Sequence, residues 1–144
     1  RFGRVGRPLP VGAACSGQAI ARVLFIRQAW DTRVGAKGDF KLGANETITG
    51  MKLPVFALEL TRDRLDPRHL TRALVQAHIY DPEGAVEAGY LDMLAEPDQV
   101  VDRAMAIAAQ LAQLPGHAYA YQKAAVRKPT LDAIRASIGN HPNL

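Results

Sequence analysis

The spacing of apolar residues along this chain changes near Gly50. Before it, short apolar runs alternate with Gly, Pro, Ser and Asn; after it, apolar positions recur every three or four residues between capping residues, which is helical spacing. Residues 9–16 read as a short buried strand, bounded by Pro8 and Pro10 and by Ser16-Gly17. Residues 18–30 predict a helix, with Ile20, Val23, Leu24 and Arg27 on one stripe and Phe25 and Ile26 widening it. Residues 31–36 predict a second strand. Residues 40–42 and 46–48 predict short extended pieces around the Gly43-Ala44 turn. Strand, helix, strand, strand is the pattern of a mixed α/β layer.

The second half predicts helices. One opens at Pro54, and another at Asp66-Pro67, running to about residue 79. Asp81-Pro82 repeats the cap-and-proline device for a short helix ending near Gly89. Residues 90–94 suit a brief extended piece. Asp98 is placed to cap a helix through residue 114, Pro115-Gly116 breaks it, and two further helices are expected, one through Arg127 and one from Pro129 to just before Gly139. The first seven residues, with three Arg, read as an exposed arm. The domain reading is therefore an α/β core portion over residues 1–65 and a C-terminal helical region over 66–144.

Composition narrows the classes. At 144 residues with 48% apolar content, the chain suffices for one ordinary domain or a part of a larger one. Its net charge of +4 favours anionic partners only mildly. Arg and Lys mostly alternate with Asp and Glu, and Trp30 and the tyrosines do not interleave with them as a nucleic-acid platform requires, so no nucleic-acid partner is expected. A single cysteine, Cys15, rules out an intrachain disulfide and sits among small apolar residues as a buried hydrophobe would. No apolar run reaches membrane-spanning length and no signal-peptide pattern opens the chain, which fits a cytoplasmic setting. His69, His78, His117 and His141 do not have metal-ligand spacing, so no metal is expected. The chain begins with Arg1, which suits a processed or trimmed chain or a portion of a longer protein.

Glu46 is the residue with the most chemical promise. It follows an apolar stretch, stands beside Asn45 and lies between Gly43 and Gly50. In an apolar pocket a lone carboxylate can shuttle protons near neutral pH; in an open turn it is merely solvated. Asp92, after Tyr90-Leu91, could orient a partner residue or act as a cap or surface group.

An ordered series of segments resembles the later part of the enoyl-CoA hydratase/isomerase (crotonase) family. The series is Ser16-Gly17-Gln18-Ala19-Ile20-Ala21, then Arg33-Val34-Gly35-Ala36, the Asn45-Glu46 run, Leu74-Val75-Gln76-Ala77, Ala85-Val86-Glu87-Ala88-Gly89-Tyr90-Leu91-Asp92, an Ala-rich helix and Lys123. It covers residues 8–128. The resemblance implies a partial ββα spiral followed by a C-terminal helical region, and a homo-oligomer, a trimer or hexamer. It implies action on acyl-CoA thioesters, with coenzyme A present as part of the substrate and no permanently bound cofactor. Two backbone N–H groups would hold the thioester oxygen as an enolate forms, while carboxylates move protons.

Carried over by position, Glu46 matches the family's second glutamate and the Arg22 N–H matches its second oxyanion donor. Phe25 stands where hydratases have their first glutamate, so one-carboxylate isomerisation is favoured over hydration. Ala21-Arg22-Val23 replaces a Gly-Gly pair, and Lys52-Leu53-Pro54-Val55-Phe56 replaces a Pro-Gly-x-Gly-Gly loop. The resemblance also implies that Lys123 and Arg127 reach the CoA phosphates; their charges equally suit a helix C-terminus. The early ββα turns of the family, source of its first oxyanion donor, are not among these residues. The alternative reading is therefore a non-catalytic, truncated crotonase-fold protein serving as an oligomerisation or scaffold module.

Overall fold

The computed structural model describes residues 6–20 and 22–139. The expected N-terminal arm lies mostly outside them; Gly6 and Arg7, its described residues, are exposed. Strands β1 (Gly12–Cys15), β3 (Thr32–Ala36) and β5 (Met93–Ala95) form a parallel sheet in the order β1-β3-β5. Strands β2 (Ala19–Ile20) and β4 (Leu42–Gly43) form a second, parallel pair. Gly12 lies opposite Thr32 and Ala19 opposite Leu42, so each strand-strand-helix turn stacks on the one before. That is the partial ββα spiral, and the helices follow it. The third strand of the larger sheet comes from beyond residue 66.

Side-chain size assigns the two faces of that sheet. Val34 and Ala36 point toward α5 (Val100–Leu111), packing with Val100, Ala104 and Ile107. Ala13, Cys15, Arg33 and Gly35 share the opposite face. Gly35 is required there: a Cβ would stand 2.4 Å from Leu91 Cδ1. The main apolar core joins Ala13, Cys15, Leu24, Leu42, Tyr80, Tyr90 and Leu91.

Five expectations are corrected. The helix predicted over 18–30 is only α1 (Arg22–Gln28); Ala19 and Ile20 pair with β4 instead. Its buried residues are Leu24, Phe25 and Gln28, while Val23 and Ile26 face solvent. The extended piece predicted at 46–48 is a helical turn, α2 (Glu46–Thr49), closed by Gly50 at φ 71. After α3 (Val55–Arg64), the helix predicted to reach residue 79 breaks into a 3-10 turn (Pro67–His69) and a π turn (Thr71–Val75). Tyr80 pulls the chain out of helical register by pairing with Leu42, through Leu42 N–H to Tyr80 O at 2.9 Å and Tyr80 N–H to Leu42 O at 2.7 Å.

The cap-and-proline device at Asp81 works as expected: its Oδ1 accepts from Gly84 N–H at 2.7 Å and opens α4 (Pro82–Ala88). Asp98 instead lies within a 3-10 turn (Pro97–Gln99) ahead of α5. The last correction is at Pro129, where two helices were expected. A single helix, α6 (Gly116–Gly139), runs through it. An internal proline costs about 3 kcal/mol. Packing on α3 (Ile134 against Leu60) and ion pairs from Lys123 and Arg127 hold the helix on both sides of that break.

Candidate active site

The site grows from two adjacent parallel strand ends. Ile20 is opposite Gly43. Two residues beyond Ile20, Arg22 opens α1; three residues beyond Gly43, Glu46 opens α2. The topology therefore delivers both predicted catalytic residues to the same edge of the β2–β4 pair. The N–H of a first helical residue has no partner in its own helix, and Arg22 holds that position in α1.

Glu46 is buried, with 7% of its surface exposed. Its backbone is fixed: the carbonyl accepts from Met51 N–H at 2.9 Å and from Thr49 Oγ1 at 3.0 Å. Thr47 Oγ1 donates to Leu74 O at 3.1 Å, tying α2 to the π turn. The side chain differs. Its Oε2 is buried and has no hydrogen-bond partner among the described residues. A buried carboxylate oxygen without a donor is costly and is a candidate for chemistry. Phe25 packs with Ala44, two residues before Glu46, and with Ala57 and Leu74. The wall at this position is thus aromatic and cannot carry a proton.

One buried polar residue, Tyr90, entered the sequence analysis only within the family-like series. Tyr90 is fully buried, and its hydroxyl has no hydrogen-bond partner among the described residues. Burial, then the neighbouring Tyr80, then the Glu46 carboxylate push its phenol well above the usual tyrosine range. No spacing rule marks such a residue; the signal available was a polar-tipped aromatic between Gly89 and Leu91.

Asp92 does orient a partner. Its Oδ1 and Oδ2 clasp Arg33 Nη2 and Nε at 2.9 and 3.0 Å, and Oδ2 also accepts from Arg33 N–H at 2.7 Å. Arg33 Nη1 continues to Gln28 Oε1 at 2.6 Å and Gly89 O at 2.9 Å. This buried fork joins α1, β3 and the turn after α4.

Lys123 and Arg127 lie elsewhere. With Asp31, Tyr119, Gln122 and Val126 they line an open hollow of about 290 Å³, which does not include Glu46. Lys123 Nζ donates to Asp31 Oδ2 at 2.6 Å and to Leu9 O at 3.1 Å, and Arg127 pairs with Asp63. Both cations are compensated inside the chain. Two of the histidines have local partners: His69 Nδ1 is 3.1 Å from Tyr80 Oη, and His78 Nε2 is 3.1 Å from Arg72 Nη2. Burial pushes the Cys15 thiol up, away from nucleophilic character. Among the described residues, no helix is long and apolar enough to cross a membrane and no three His, Cys, Asp or Glu side chains converge as metal ligands.

No family model matches the chain. It is 29% identical over 119 residues to a probable enoyl-CoA hydratase of Mycobacterium tuberculosis, covering 83% of this chain and 45% of that protein. It is 28% identical over 119 residues to the human mitochondrial enoyl-CoA delta isomerase 1, covering 82% of this chain and 39% of that protein. The chain thus spans less than half the length of these curated relatives. Among solved structures, an enoyl-CoA hydratase/isomerase family protein from Pseudomonas syringae superposes with a TM-score of 0.92 at 36% identity, over 96% of this chain and 60% of that one. An apo enoyl-CoA isomerase from M. tuberculosis gives 0.91 at 38% identity, over 96% and 61%.

Proposed function

From a chain similar in sequence and fold to the later part of the enoyl-CoA hydratase/isomerase (crotonase) family, we propose that its residues form the proton-transfer side of an acyl-CoA site working as an isomerase. One observation carries the reading: a buried carboxylate, Glu46, holds an oxygen with no hydrogen-bond partner among the described residues, at the strand edge where Arg22 opens its helix. Glu46 takes a proton from the carbon beside the thioester. The electron pair moves onto the thioester oxygen, where the Arg22 N–H is one stabilising donor. The same carboxylic acid returns the proton further along the conjugated chain, so the double bond moves and no atom is gained. Hydration would need a second carboxylate to activate water, and Phe25 offers none.

Coenzyme A enters only as part of the substrate. Apolar side chains left on the surface of α5 and α6, Val101, Met105 and Val126 among them, support the homo-oligomer that the resemblance implies; light scattering measures it.

Glu46→Gln tests the assignment. The amide keeps the shape and the fold but cannot shuttle a proton. Enoyl-CoA isomerisation should fall by roughly 10²- to 10⁴-fold, the usual worth of a positioned acid–base, with thioester binding retained. Full activity in that variant would refute the role. If calorimetric titration of the well-folded chain with a CoA thioester gives no heat, the scaffold reading prevails.

A further inference from the structure

Between Thr71 and Tyr80 the chain holds side chains whose contacts fit one charge state only. The segment opens with the π turn (Thr71–Val75), closed by Gln76 N–H to Thr71 O at 3.0 Å; such turns are rare and are frequent at functional sites. Ala77 then takes a left-handed conformation at φ 52, strained for a residue with a Cβ. His78 is tied to Arg72 twice. Its N–H donates to Arg72 O at 3.0 Å, and its Nε2 lies 3.1 Å from Arg72 Nη2. The His78 ring meets Tyr80 edge-on with centroids 4.5 Å apart, and the Arg72 guanidinium stands 5.8 Å over the same Tyr80 ring. The same π turn braces α2: Thr47 Oγ1 donates to Leu74 O at 3.1 Å, and Thr47 follows Glu46 directly.

Arginine has donors only, so the Arg72–His78 bond exists only while His78 Nε2 keeps its lone pair, with the ring neutral and its proton on Nδ1. A second proton would set N–H against N–H and charge against charge. We propose that Arg72 and His78 form a proton-released clasp on the π turn: neutral His78 locks the turn against α2, and protonation of His78 frees Arg72 and loosens both. The strain at Ala77 favours opening once the bond is gone. The clasp concerns the fold; its effect on turnover rests on the acid–base role given above to Glu46. The charged and titratable groups facing His78 are Arg72 on the π turn, His69 on the 3-10 turn, Tyr80 and Asp81. Strand β4 adds none: Gly43 packs there, where a Cβ would stand 3.0 Å from His78 O. Burial, then Arg72, then His69 hold the His78 imidazole below the usual histidine range, with Asp81 opposing them. The stability the clasp contributes is therefore complete above the ordinary histidine value of about 6.5 and is lost as pH falls through the lower value in the fold.

The test is amide hydrogen exchange of the substrate-free chain at about pH 7.5 and about pH 5, which brackets the charge change of histidine, corrected for the intrinsic pH dependence of exchange. Protection of the Gln76 and His78 amides should fall by roughly three- to tenfold at the lower pH, the worth of one partly exposed hydrogen bond. Met51, whose N–H donates to Glu46 O, should lose protection in parallel. In His78→Gln the glutamine oxygen still accepts from Arg72 but does not titrate, so the fall should vanish; in His78→Lys protection should be low at both pH values. His69→Gln should keep the wild-type fall. Equal wild-type protection at the two pH values overturns the proposal, as does a fall that persists in His78→Gln or disappears in His69→Gln. A Met51 amide that ignores His78 overturns the link to α2. Exchange needs no turnover, so an inactive chain would refute the isomerase reading and leave the clasp to be decided by these amides alone.

Discussion

Asp31→Ala should be among the most damaging single changes in this chain, although Asp31 is remote from the proposed chemistry in sequence. Its Oδ2 accepts three hydrogen bonds: from Lys123 Nζ at 2.6 Å, Tyr119 Oη at 2.9 Å and Val11 N–H at 2.9 Å. The two charged side chains are only 11% and 6% exposed. Together they fasten α6 to the start of β3 and to the segment before β1. Removing the carboxylate leaves a buried ammonium with Leu9 O and the face of the Tyr119 ring but no counter-charge, and breaking a buried pair from one side costs about 3–5 kcal/mol. Lys123→Met should cost less, about 1–3 kcal/mol, because Asp31 keeps two donors and the methionine retains most of the packing. In the double variant Asp31→Ala with Lys123→Met the losses should fall short of their sum by about 0.5–3 kcal/mol.

Urea unfolding followed by Trp30 fluorescence is the natural assay, since the single tryptophan adjoins Asp31 in sequence. If Asp31→Ala costs less than about 0.5 kcal/mol, as an ordinary surface change does, or if the two changes simply add, then the ion pair does not anchor α6. Apolar contacts such as Ile134 on Leu60 would have to hold it alone.

Tyr119 gives a pH signature of the same anchor: burial and its bond to Asp31 push its phenol up to about 12. Its stabilising contribution is complete below the unfolded value near 10 and is lost as pH rises from there through about 12; Tyr119→Phe should flatten that part of the stability–pH curve. Gly89→Ala should be severe, about 2 kcal/mol or more, because φ is 98 and the new Cβ would stand 2.6 Å from Arg64 O. Gly50→Ala is its control: φ is 71 with nothing within 4 Å, so only the left-handed strain of about 1 kcal/mol remains. Thermal unfolding of both variants separates the two cases, and equal losses would show that the Arg64 contact yields easily.

Local chemistry was legible where one short segment decides its own fate. The strand at 31–36, the Asp81-Pro82 helix start and the Gly89 stop all follow from side chains within a few residues of each other. The order of segments also carried the α/β class and the spiral. The errors arose where a distant partner outbid local preference. Residues 19–20 read as helix until β4 supplies a strand to pair with, Tyr80 ends a helix early because Leu42 takes its backbone, and Pro129 stays inside α6 because Asp31, Asp63 and Leu60 lie along the helix on other elements.

For the site the division is sharper. The sequence by itself placed a carboxylate, Glu46, between Gly43 and Gly50 where either a pocket or an open turn would fit, set Phe25 where a proton cannot be moved, and spaced its four histidines unlike metal ligands. Only the tertiary structure decided that Glu46 and Arg22 leave adjacent strand ends, that Lys123 and Arg127 pair within the chain, and that Glu46 is buried with an oxygen that has no hydrogen-bond partner among the described residues. Burial and pairing depend on which residues distant in sequence meet, and that meeting is a property of the folded chain as a whole.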